Sequence, residues 1–195
     1  MEIAKNITGE QFLRLDLSSA GKDWSKAILM LRLRITERFI EPTDKLIELE
    51  SSIPAKGKKY GFAILALDCL LCETIQSFYE GVENSKGHSK QLFVKFLRER
   101  QNFKSHFTSD ADAEDFYINF RCSLLHQAQT SGSTKVWALG PLIKRLNGET
   151  KVNRLVFHQA LKDEFELYIS LLSESVNSAL RSHFIKKMTY ISTSG

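Results

Sequence analysis

The sequence is poor in the residues that interrupt helices and in those that crosslink chains. Only three prolines and ten glycines occur among 195 residues, which argues against a loop-rich all-β fold and favours long helices. Three cysteines are too few for a disulfide framework and indicate a reducing compartment. The longest apolar runs, 27–31 and 62–67, are far shorter than a bilayer span, and no signal-peptide pattern opens the chain. We therefore expect a cytoplasmic protein with no membrane span.

Size and charge point to an ordinary globular domain. The length suits one domain with a sizeable core. Hydrophobic residues make up 43% and charged residues 26%, and the net charge is +4. This mild positive excess is compatible with an RNA partner but does not by itself imply one.

Apolar residues recur at helical spacing along most of the chain. This pattern predicts an all-α fold, an antiparallel bundle of four to five helices that forms one domain over 23–188. The predicted helices are 23–50, kinked or split at Pro42, then 58–79, 89–107, 113–129 and 153–187. Gly81 is a suitable C-cap for the second of these.

Three segments fall outside the helical pattern. Residues 1–22 form an irregular lead-in, and residues 189–195 are expected to be a disordered tail. In 135–152, Asn147-Gly148 is the strongest short signal for a hairpin turn, so a small β-hairpin is predicted there.

The sequence offers no constellation typical of a metal or cofactor site. Cys69 and Cys72 form one Cys-x-x-Cys pair in mid-helix, where core packing is the better interpretation than zinc or redox chemistry. None of the five histidines forms an i, i+4 pair, and lone histidines on helix surfaces are the default for most of them. No phosphate-binding P-loop or nucleophile elbow occurs. We predict neither a metal nor a cofactor.

The most informative segment is the helix predicted over 113–129. On an ideal helix Arg121 lies about 140° from Phe116, within an apolar arc, and a guanidinium there needs a partner or a function. His126 lies about 280° from Phe116, on the polar side beside Asn119. Arg121 and His126 therefore do not share a face of a straight helix. A two-fold interface between two chains, or a distorted turn, would bring them together.

These residues carry a family resemblance. Arg121-x-x-x-x-His126, in a helix of the C-terminal half of a small bundle, resembles the signature of the HEPN superfamily. The apolar segment Phe62–Gly81 resembles the helix that packs beside it in that family. The resemblance implies an antiparallel, usually dimeric bundle, often a metal-independent endoribonuclease of toxin–antitoxin, antiphage or RNA-processing systems. The expected partners are a second copy of the chain, RNA, and an antitoxin or other protein.

The resemblance assigns roles within this segment. His126 would transfer protons, because the ordinary pKa of histidine lies near neutrality. Arg121 would bind the phosphate bidentately. Asn119 would orient the imidazole or contact RNA, Tyr117 would support the guanidinium, and Glu73 is a candidate partner for Arg121.

Two alternatives remain open beside the nuclease. In one, the chain is a non-catalytic HEPN-like dimer that binds RNA, a nucleotide or a protein. Cys122 favours it, since active members of the family often have Asn, Asp or His after the arginine. In the other, Arg121 makes only a structural salt bridge and His126 is merely exposed. Arg100 and His106 match the loose spacing too, in a less suitable context.

Overall fold

The computed structural model describes residues 1–19, 21–54, 57–127 and 129–194 and is 62% helical. The prediction of a mainly helical fold is confirmed, but a pure all-α bundle is wrong because two small sheets are present. The helices are α1 (Gly9–Leu13), α2 (Trp24–Ile35), α3 (Glu41–Glu50), α4 (Gly61–Glu80), α5 (Ser89–Glu99), α6 (Asp110–Phe116), α7 (Ser123–Gln127), α8 (Arg154–Ser173) and α9 (Ser178–Thr193). The strands are β1 (Glu2–Ala4), β2 (Ile7–Thr8), β3 (Thr134–Trp137), β4 (Ile143–Leu146) and β5 (Glu149–Asn153).

Helix α4 is the centre of the fold. It packs against α5, α8 and α9, and its core residues, including Leu65, Cys69 and Cys72, are fully buried. Gly81 ends it with φ +63°, a left-handed conformation that glycine adopts without strain. In the described part of the chain, α4 alone is long and apolar enough to cross a membrane, and 61% of that stretch is buried inside the fold. Most of this apolar helix is thus covered by the helices that pack around it.

Two pairs of consecutive helices, α2 with α3 and α6 with α7, are each joined into one continuous helical rod by a turn of π-helix. Thr36–Ile40 joins α2 to α3, and Tyr117–Cys122 joins α6 to α7. The first π-turn precedes Pro42, whose missing N–H and bulky ring disfavour the ordinary i→i−4 pattern. The predicted kink at Pro42 is therefore taken up by the π-turn, and the rod continues to Glu50.

Tertiary contacts end two predicted helices early. Helix α5 stops at Glu99 because the buried carboxylate of Glu164 accepts the backbone N–H groups of Gln101 and Asn102, at 3.2 and 3.0 Å. The predicted final helix is two helices, broken at 174–177, where the side-chain amide of Asn177 donates to the carbonyl of Leu171 at 2.7 Å. Both ends depend on hydrogen bonds that periodicity does not reveal.

The hairpin predicted in 135–152 is present as β4 and β5, but it is part of a larger sheet. Asn147 and Gly148 form its turn with φ of +52° and +75°, as the Asn-Gly pair requires. Strand β3 pairs in parallel with the other edge of β5, giving the order β3-β5-β4. The pairing of β3 with β5 could not be predicted from local sequence, because it depends on the path of the chain between α7 and β3.

Both predicted irregular ends contain regular structure. β1 and β2 pair antiparallel, and α1 follows with a capping box at Thr8, so an irregular lead-in over 1–22 is wrong for residues 2–13. Ile3 and Phe12 are buried, which docks this segment on the bundle. Helix α9 reaches Thr193, so the predicted disordered tail over 189–195 is wrong up to that residue, while Gly195 lies outside the described residues.

Candidate active site

Arg121 is held by Glu73, which lies on the central helix α4. Arg121 Nε donates to Glu73 Oε1 at 2.5 Å and Nη2 donates to Oε2 at 3.2 Å. The two side chains are 12% and 8% exposed, so the pair is largely removed from water. Burial lowers the pKa of Arg121, but the hydrogen bond and charge of Glu73 outweigh it and hold the pKa above its ordinary value. The guanidinium therefore stays charged.

Tyr117 is the second side chain that contacts this guanidinium. Its ring centroid lies 5.4 Å from Arg121 Cζ, within cation–π range, and 5.6 Å from the ring of Phe93. Burial and a hydrogen bond with Cys122 raise the pKa of Tyr117 to about 12. The phenol is therefore protonated at neutral pH and remains a hydrogen-bond donor.

The π-turn at Tyr117–Cys122 coincides with the candidate motif. Such turns leave a backbone carbonyl without its usual helical partner, and they occur often at functional sites. Ser123, which is buried, places its hydroxyl 3.0 Å from the carbonyl oxygen of Ile118 and 2.9 Å from the hydroxyl of Ser131. Ser123 thus stabilises the distorted turn, a role that a serine in a helical pattern did not suggest.

Asn119 fixes the loop that follows α7. Its Nδ2 donates to Asp115 at 2.8 Å, its Oδ1 accepts from the Ser131 hydroxyl at 2.7 Å, and its carbonyl accepts the Ser131 N–H at 3.1 Å. These bonds occupy the side chain that was expected to orient His126 or contact RNA. In this structure Asn119 positions residues 131–132 instead.

His126 is exposed near the end of α7. Within the described ranges it makes no side-chain hydrogen bond or ion pair, and its ring is accessible to solvent or to another molecule. Arg121 is directed to Glu73 on the inner side of the same rod. A single chain thus brings Arg121, Tyr117 and Glu73 together and leaves His126 apart from them.

The alternative pair, Arg100 and His106, is not organised as a site. Arg100 Cζ lies 3.9 Å above the ring of Tyr79 and its guanidinium bonds to Glu99. The backbone carbonyl of His106 accepts a hydrogen bond from Arg145. The Arg100 side chain is engaged by Tyr79 and Glu99, and the contact of His106 is made by its backbone. His106 is therefore a suitable control residue.

A buried histidine cluster lies elsewhere, between α3, α4 and α8. His158 Nδ1 is 2.7 Å from Asp68 Oδ1, and Nε2 is 3.2 Å from Asp44 Oδ1, which Lys162 also contacts. His158 is 2% exposed and is therefore an exception to the surface position expected for most of the histidines. The signal lay in the spacing of 158, 161, 165, 168 and 172, which places the imidazole on the apolar stripe of α8.

Two further observations concern metals and thiols. Over 1–19, 21–54, 57–127 and 129–194, no group of three or more His, Cys, Asp and Glu side chains is arranged to hold a metal ion. Burial raises the pKa of Cys69 and of Cys72 well above the usual range, so both thiols stay protonated in the core.

No family model, no curated protein and no solved structure matches this chain.

Proposed function

We propose that this protein is a metal-independent endoribonuclease of the HEPN type, with an active site assembled from two copies of the chain. The observation that carries the proposal is the arrangement of the motif on one rod. A charged, oriented guanidinium and an accessible imidazole lie five residues apart across a π-turn. A two-fold contact along α6–α7 would bring two such imidazoles to one RNA strand, and each guanidinium would have to turn away from Glu73 to reach it.

The chemistry needs no group beyond these side chains. One His126 accepts the proton of the RNA 2′-hydroxyl, whose oxygen attacks the adjacent phosphorus. The second His126, as imidazolium, gives a proton to the departing 5′-oxygen. The products are a 2′,3′-cyclic phosphate and a 5′-hydroxyl. Arg121 stabilises the extra negative charge on the phosphorane-like transition state, where the phosphate competes with Glu73 for the guanidinium N–H groups.

The test is cleavage of mixed RNA by the purified protein in EDTA. Wild type should cut in EDTA, and His126→Ala should abolish cutting while changing the melting temperature by only a few degrees, because the side chain is exposed. Arg121→Lys should restore little activity relative to Arg121→Ala, since an ammonium lacks the guanidinium fork. His106→Ala is the matched control and should keep most of the activity.

Three results would contradict the nuclease. They are cleavage that survives His126→Ala, cleavage that dies in EDTA and returns with magnesium, and a strict monomer by light scattering at tens of micromolar. The second candidate, a non-catalytic RNA-binding dimer, is favoured by the ion pair that occupies Arg121 and by Cys122 beside it. It predicts RNA binding without cleavage under every condition.

A further inference from the structure

A cavity of about 310 Å³ lies beside α4, and Glu73, the ion-pair partner of Arg121, is one of its lining residues. It opens between α2 with the first π-turn, α4, and α9. Its charged lining consists of Arg34, Arg38, Lys187 and Glu73. Three of these four side chains are cations, although the net charge of the whole chain is only +4.

The three cations are oriented by backbone carbonyls and not by carboxylates. Arg34 Nη1 donates to Ile3 O at 2.7 Å, Arg38 Nη2 to Glu2 O at 3.3 Å, and Lys187 Nζ to Glu83 O at 2.8 Å. Among the residues that the structure describes, none of the three lies in an ion pair, whereas Arg121 pairs with Glu73 and the buried Arg154 pairs with Glu50. Each cation therefore keeps N–H groups that can bind an anion.

The charge of the lining is left uncompensated. Glu73 is the one carboxylate among the lining residues, and Arg121 neutralises it. Burial, with the positive charge of Arg34, lowers the pKa of Lys187 to about 8, while exposed Glu83 opposes this shift only weakly. Burial and the charge of Arg38 lower the pKa of Arg34 to about 10. Repulsion among desolvated cations is relieved when an anion lies between them.

We propose that this cavity binds the phosphate group of a small phosphomonoester, with Arg34, Arg38 and Lys187 as its ligands. Guanidinium forks and an ammonium are the side chains that best match phosphate oxygens. The volume admits a phosphate with a sugar attached, near the lower bound for ligand pockets.

The hydroxyls in the lining fit the sugar more than the phosphate. Thr74 Oγ1 donates to Leu70 O and Ser77 Oγ donates to Thr74 O, so their free lone pairs accept hydrogen bonds from sugar hydroxyls. The phosphomonoester would come either from a free nucleotide or from the 5′-phosphorylated end of an RNA. The proposed phosphate ligands include neither Arg121 nor His126, so the binding test does not depend on nuclease activity, although Glu73 in the lining is the ion-pair partner of Arg121.

Calorimetric titration of the purified chain tests the site. The probes are inorganic phosphate, adenosine 5′-monophosphate, adenosine, and a 2′-O-methyl hexanucleotide with or without a 5′-phosphate, which resists cleavage. Binding should require the phosphate, so adenosine and the unphosphorylated oligonucleotide should not bind. The phosphorylated probe that binds more tightly identifies the source of the ligand.

Matched variants locate the binding. Arg38→Gln and Lys187→Gln should each weaken binding of the phosphorylated probes about tenfold or more, because each removes a charged hydrogen bond. Lys186→Gln, an exposed change on the same helix, should leave binding unchanged. Arg38 is also exposed, so its variant should fold even if Lys187→Gln does not.

Three outcomes would overturn the proposal. One is equal binding of adenosine and its monophosphate. Another is unchanged affinity in a folded Arg38→Gln. The third is no binding of any phosphorylated probe at millimolar concentration.

Discussion

A guanidinium on the inner face of a helix needs hydrogen-bond acceptors, and for Arg121 these come from Glu73, with the closest contact at 2.5 Å. Their largely buried contact joins the rod of α6 and α7 to the central helix α4. The ion pair fixes where Arg121 can act. It also means that any substrate phosphate must compete with Glu73 for the same N–H groups.

At this scale, removing one member of the pair should cost more than removing both. Glu73→Gln or Arg121→Gln alone should lower the free energy of unfolding by about 3 kcal/mol, because each leaves the other charge buried without its partner. The double variant should lose much less than the sum, which urea denaturation will measure.

The exposed pair Lys90–Glu114 provides the control. Its side chains are 49% and 44% exposed, so Glu114→Gln should change stability by less than about 1 kcal/mol. If the changes in the free energy of unfolding of the two single variants summed to that of the double variant, the contact between Glu73 and Arg121 would contribute nothing to stability.

The end of α5 is set by a residue that is distant in sequence. Glu164 of α8, 1% exposed, accepts two backbone N–H groups at 101 and 102 and the side chain of Asn102, and thereby terminates α5. The second π-turn is stabilised in the same way, by Ser131 reaching back to Ser123 and Asn119. Loops and helix ends here share hydrogen bonds across the fold.

Glu164→Ala should therefore destabilise the protein by about 2–4 kcal/mol, since two backbone N–H groups and the Asn102 side chain lose a charged acceptor. Amide hydrogen exchange at Gln101 and Asn102 should accelerate more than exchange within α4. Glu166→Ala, an exposed change on the same helix, should have little effect. Unchanged protection at 101 and 102 would contradict this role for Glu164.

The sequence predicted elements better than contacts. Helical periodicity located α2–α3, α4 and α6–α7, and Asn147-Gly148 located the hairpin, because these signals are local. The end of α5 and the parallel strand β3 depend on partners distant in the chain. At the candidate site, an arginine in an apolar arc signalled a required partner, whereas the π-turn and the buried His158 cluster needed three dimensions.

For the molecule as a whole, stability should depend on pH through Asp68. Burial raises the pKa of this carboxyl from 3.8 to about 6, with His158 opposing the shift and Asp44 adding to it. Between these values the folded chain holds a proton that the unfolded chain has lost. The free energy of unfolding therefore falls, through this group, as pH rises from about 4 to 6.

Asp68→Asn removes this titration. Its stability relative to wild type should increase across that pH window, by up to about 3 kcal/mol, as judged by urea denaturation at each pH. Asp163→Asn, an exposed change on α8, should show no such trend. A constant difference between Asp68→Asn and wild type from pH 4 to 7 would contradict the assignment.

The contact between α1 and α9 has a consequence for biosynthesis. Gly9 lies so close to α9 that a Cβ there would come within 2.4 Å of the carbonyl oxygen of Ser192. Helix α1 is thus seated on a helix that follows all the other described helices in chain order. Phe12, buried in the finished fold, stays without its cover on the nascent chain until α9 emerges. The contact between α1 and α9 can therefore form only after α9 has been translated, and the apolar face of α1 is exposed to chaperones in the meantime.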